Sequence, residues 1–146
     1  MANRAPFETL IELAEKATDD AAKRLGAAIR AGAETEQKLS LLNEYRNDYA
    51  VRFQAGLAAG LTAIGYRNFQ AFLEKLDSAV AGQEKIVFEA KRRIAIERAG
   101  WQACERKRLS YTTLSNRAQQ ELLLRETRLD QKQTDERAAR QLAHKR

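Results

Sequence analysis

A single Cys, a single His and a single Pro occur in 146 residues. One Cys forbids an internal disulfide and fits a reducing compartment. With so few soft donors there is no metal-ligand set, and no nucleophile–base pair can be assembled. His144 stands at the far C-terminal end, and Cys104 falls on an apolar stripe, where a free thiol behaves as a small hydrophobe. Neither a GxxxxGK[ST] nor a GxGxxG phosphate cradle is present. The carboxylates are interspersed with Lys and Arg, the pattern of surface pairs. No catalytic, cofactor-binding or metal-binding residue is therefore expected, and the chain is not expected to be an enzyme.

Long apolar runs are missing too. The longest weakly polar stretch, residues 55–65, is about half the ~20 residues that a spanning helix needs. Glu8 and Glu12 break up the first candidate for a secretory signal. A soluble, cytoplasmic protein is expected. At this length there is room for one domain, residues 1–146.

What the chain does have is a sustained period. A mostly apolar series recurs at alternating four- and three-residue steps: Phe7, Ile11, Ala14, Thr18, Ala21, Leu25, Ala28, Gly32, Thr35, Leu39, Leu42, Arg46, Tyr49, Phe53. The series resumes as Phe69, Leu73, Leu76, Val80, Gln83, Val87, Ala90, Ile94, Glu97, Trp101, Cys104, Arg108, Tyr111, Ser115, Ala118, Leu122. A 3.5-residue period keeps one stripe of a helix facing a partner helix. High Ala, Glu, Lys, Arg and Leu content belongs to long helices. The fold class expected is all-α: two long helices in an antiparallel coiled-coil hairpin, the second longer than the first.

Helix one should run over about 5–54, with Pro6 in its first turn, where a missing N–H costs nothing. Three glycines, Gly56, Gly60 and Gly65, place the loop at about 55–68. Asn68 is the expected N-cap of helix two, which extends over about 69–142. Gly32 lies on the seam, where the absence of a side chain permits close helix approach. Antiparallel pairing with residue sums near 121 sets Phe72 beside Tyr49 and leaves everything after Ala118 as an overhang. That overhang holds Leu129 and Leu142 as its only large apolar residues beyond Arg125. It is either a solvated tail or a helix ordered by a partner.

Charge is unevenly placed. Residues 91–146 hold 15 Lys+Arg against 7 Asp+Glu, a net of +8, and residues 1–90 carry −2, for the overall +6. Lys91, Arg92, Arg93, Arg98, Arg106, Lys107 and Arg108 could form a phosphate track. However, they spread around the helix and Glu97 and Glu105 interrupt them, which favours a solvated face.

Beside the loop, the apolar face is wider than one partner helix covers. Phe72, Leu76 and Ala79 form one row along the seam edge, and Leu42, Tyr45 and Tyr49 form another opposite them. Two such rows read as a docking patch. The competing reading is that Leu57, Leu61 and Ile64 fold back over them.

The opening ETLIELAEKATDDAAKRLG, the Leu42–Tyr45–Tyr49 row, the FQAFLEKLDSA segment and the closing RETRLDQKQTDE resemble the FliJ family of bacterial flagellar type III export chaperones. The resemblance covers nearly the whole chain. It implies a stalk-like adaptor that binds the ring of the flagellar export ATPase and promotes its assembly and turnover. It also implies a link to the export-gate membrane protein and an escort role for unloaded export chaperones, at the inner membrane. The resemblance maps the gate patch onto Leu42, Tyr45, Tyr49, Phe72, Leu76 and Ala79, with Lys38 and Gln83 departing from the family's side chains at its edge. It places the ATPase contact around Arg128, Asp130, Lys132, Asp135 and Glu136. The alternative is a basic structural coiled coil that binds nucleic acid or self-associates. No nucleic acid and no small-molecule substrate are expected on the leading reading.

Overall fold

The computed structural model describes residues 5–145. Two helices make up the fold, α1 (Ala5–Ala59) and α2 (Ala63–His144), and no strand occurs among the described residues. Neither helix has a proline in its interior, so nothing removes a backbone donor once the helix has begun.

The connection is shorter than the three glycines imply. Only residues 60–62 interrupt the helices, against the expected 55–68. Gly60 adopts φ 91°, the left-handed conformation that a residue without Cβ accepts at the end of a helix. Its N–H reaches the Leu57 carbonyl at 3.3 Å. The cap of α2 is Thr62, not Asn68: its Oγ1 accepts the Gly65 N–H at 3.1 Å. Gly56 and Gly65 are helical, and their lack of side chains makes room for Leu61. A Cβ on either would come within 3.1 Å and 3.0 Å of that leucine. These two glycines seat a side chain; they do not break a helix.

The chain divides into two compact units, each built from both helices: unit 2 comprises Ala21–Trp101, and unit 1 pairs the α1 segment up to Asp20 with α2 from Gln102 onward. In unit 2 the antiparallel sense follows from Phe53 packing on Phe69 beside the turn while Glu36 pairs with Lys91 farther along. In unit 1, Leu10 and Leu13 share a groove with Tyr111 and Cys104.

Every position of both apolar series is buried or half-buried. The core is thin: Ala14, Thr18, Ala21, Gly32, Leu76, Val87 and Ser115 are the buried members. At Gly32 an added Cβ would meet Ile94 Cδ1 at 2.8 Å, so the isoleucine occupies the missing side chain's place. Polar seam residues find partners within their own helix or across the seam. Thr18 donates to the Ala14 carbonyl at 2.8 Å, and Gln83 donates to the Thr35 carbonyl of the other helix at 3.0 Å. Among the described residues no buried side-chain polar atom lacks a partner.

Burial stops at Leu122. Residues 123–145 are exposed throughout, yet α2 stays helical to His144. The Glu121–Arg125 pair at 3.2 Å, one turn apart, supports it locally, while the Thr127 and Thr134 hydroxyls are satisfied by carbonyls four residues back.

Candidate protein-binding site

Aromatic side chains on both sides of the turn form a continuous ladder in unit 2. Tyr45 meets Phe72 edge-on, with centroids 6.5 Å apart at 72°. Phe72 packs on Tyr49 at 4.5 Å, Tyr49 on Phe69 at 5.1 Å, Phe69 on Phe53 at 5.6 Å, and Phe53 on Tyr66 at 5.4 Å. Each such pair contributes about 0.5–1.5 kcal/mol beyond its buried area. The ladder fixes the rings in place while leaving some of them accessible. Tyr45 is 55 % exposed and Phe72 37 %.

The two expected rows are therefore brought together, but not equally. Ala79 is exposed, Leu42 and Tyr49 are half-buried, and Leu76 is buried at 8 % exposure. Leu76 belongs to the seam itself and supports the face from beneath. Ile86, half exposed, continues the Phe72–Ala79 column at seven-residue spacing, and the exposed Leu41 adjoins Tyr45 on α1. Sequence reasoning missed both because neither lies on the seam period; the heptad column of Phe72 was the signal that could have found Ile86. Leu57 and Ile64 do not bury themselves over the rows, since both are exposed, and Leu61 packs onto the turn.

Ion pairs along unit 2 tie the helices beside this face. Arg46 pairs with Asp77, and Lys91 with Glu36 at 3.5 Å. Glu97, on the seam, receives Arg93 at 3.1 Å and Arg24 at 3.6 Å. In unit 1, Arg108 hydrogen-bonds Glu105, which holds that carboxyl below its ordinary value and raises the guanidinium. Part of the 91–108 basic run is thus committed to carboxylates. Arg92, Arg98, Arg106 and Lys107 remain exposed without an ion pair among the described residues.

Arg128, Asp130, Lys132, Asp135 and Glu136 all lie on the exposed end of α2, and none makes an ion pair among the described residues. They share a helix segment but are not gathered into a pocket. No group of three or more His, Cys, Asp or Glu among the described residues could hold a metal ion. No helix there is long and apolar enough to cross a membrane.

A family model described as flagellar FliJ protein matches residues 3–146. The flagellar FliJ protein of Escherichia coli (strain K12) is 32% identical over 140 residues, 96% of this chain and 95% of its own length. That of Salmonella typhi is 31% identical over the same span and coverage.

Proposed function

Because the chain belongs to the flagellar FliJ protein family, we propose that it is a cytoplasmic component of the flagellar type III protein export apparatus. In this reading it is a non-catalytic, stalk-like adaptor and chaperone. It binds the export ATPase ring, promotes ring assembly and activity, and links the ring to the cytoplasmic region of the export-gate membrane protein. Unloaded export chaperones are further partners.

The observation that supports a protein-gripping role most directly is the half-exposed aromatic face of unit 2. Rings on a soluble surface, locked by neighbours, lose little entropy on binding and are the side chains that dominate interface energetics. Tyr45, Phe72 and Ala79 offer the contact surface, Leu42 and Tyr49 flank it, and Leu76 holds it up. The ATPase contact is assigned to Arg128, Asp130, Lys132, Asp135 and Glu136. There a helix already formed and fully solvated needs no unfolding to engage a partner.

The test separates the two contacts. Tyr45→Ser with Phe72→Ala should abolish capture of the gate protein's cytoplasmic region while leaving helicity and ATPase stimulation intact. Truncation after Arg125 should do the reverse. If both activities fall together in either variant, or if the double variant still captures the gate region, the reading is wrong. Concentration-dependent sedimentation that the double variant removes would assign the face to a second copy instead.

A further inference from the structure

We propose that unit 1 carries a second docking groove, for a partner helix that presents a large apolar side chain with a carboxylate one turn away. The groove lies between α1 and α2 within that unit and has a volume of about 240 Å³. Leu10, Leu13 and Ala17 line it from α1, and Cys104, Lys107 and Tyr111 from α2. None of these residues belongs to the two sets assigned above.

Its depth comes from the seam. Ala14, buried at 7 %, is the smallest side chain that can fill its layer, so the floor stays low while Leu10 and Leu13 stand 40 % and 61 % exposed at the wall. At this size the groove falls below the roughly 300–1,000 Å³ of small-molecule sites. It fits an inserted side chain better than a metabolite. The apolar surface continues past it to Leu114, 43 % exposed and in the heptad column of Lys107.

Charge complementarity selects the occupant. Lys107 holds its ammonium 6.0 Å from the Tyr111 ring centroid and makes no ion pair among the described residues. The neighbouring Arg108 takes Glu105 instead. Farther along the same face, Arg117 is exposed and unpaired, while Glu121 is held by Arg125. Asp20, two turns beyond Leu13, is the carboxylate in that column. A cation already steered over a ring, at the lip of an apolar groove, favours a ligand that brings its own carboxylate.

The full-length protein is titrated with a fluorescent alanine-based peptide of about 18 residues, long enough to be helical. It carries Leu and Phe four residues apart with Glu on the adjoining turn; a second peptide has Lys in place of Glu. The Glu peptide should bind saturably, slow modification of the Cys104 thiol, and bind Lys107→Glu about tenfold more weakly. The Lys peptide should show the opposite preference between the two proteins. Leu13→Ser, an exposed position, should weaken both while leaving helicity unchanged. Equal binding of the two peptides, absence of saturable binding, or indifference to Lys107→Glu overturns the proposal. So does dimerisation in sedimentation that Leu13→Ser abolishes, since the groove would then belong to a second copy.

Discussion

Beside the turn, the seam of unit 2 is filled with rings and branched side chains, whereas the buried seam positions of unit 1 are Ala14, Thr18 and Ser115. Both follow the same 3.5-residue period. Tyr45 and Phe72 stand beside the seam, packed on its rings, and so extend it into a partly exposed apolar face. The small residues of unit 1 underfill their layers, and the leucines flanking them stand proud around a groove. One period thus carries a ring-lined apolar face beside the turn in unit 2 and a leucine-walled groove in unit 1.

The largest test of that contrast is truncation at one seam position in each unit. Leu76→Ala should cost about 2–3 kcal/mol in urea unfolding followed by circular dichroism. Thr18→Ala should cost no more than about 1 kcal/mol, because the hydroxyl's bond to the Ala14 carbonyl is local. Equal losses would mean that ring-rich and small-residue layers contribute alike, and the distinction would collapse.

At the turn, Gly60→Ala should lose about 1–2 kcal/mol from the left-handed backbone. Thr62→Ala should lose about 1 kcal/mol from the cap. Asn68→Ala, inside α2, should leave the unfolding free energy within about 0.5 kcal/mol of the parent. A cost at Asn68 comparable with that at Thr62 would move the helix start back to where the glycines first suggested.

Glycines inside the helices sharpen the comparison further. No atom lies within 4 Å of a Cβ added at Gly82, so Gly82→Ala should gain about 0.5–1 kcal/mol of helix propensity. Gly32→Ala must displace Ile94 and should gain less or lose stability, and Ile94→Val should restore part of the difference.

The smallest expected effect is that of pH. Glu105 has a folded-state pKa below its ordinary 4.5, chiefly through the hydrogen bond from Arg108. Its contribution is therefore present above that ordinary value and lost as pH falls through the depressed one. The thermal midpoints of the parent and Glu105→Gln should differ slightly at neutral pH and converge in acid. A gap that widens on acidification would contradict the assigned direction.

The helices themselves were legible in the sequence, because a seam must repeat wherever two helices keep touching. Every residue from Phe7 to Phe53 and from Phe69 to Leu122 in the two series is shielded as the period requires. The turn was not legible to the same degree. Glycine composition cannot distinguish a residue that ends a helix, as Gly60 does, from one that clears space for Leu61, as Gly56 and Gly65 do. Of the candidate site, the rows Leu42–Tyr45–Tyr49 and Phe72–Leu76–Ala79 were readable as neighbours. Their division into exposed Tyr45 and Phe72 and buried Leu76 was not.

Sequence alone determined that this chain is helical, that two stripes pair in opposite directions, and that α2 outruns its partner beyond about Ala118, where the structure carries burial on to Leu122. Periodicity settles these matters, because it depends only on residue order and helix geometry. Tertiary structure decided how far each seam residue sinks, which leucine fills a glycine's gap, and that Leu10, Leu13 and Lys107 enclose a groove. Those outcomes depend on the volumes of side chains facing each other across two distant parts of the chain, and no single helix carries that information.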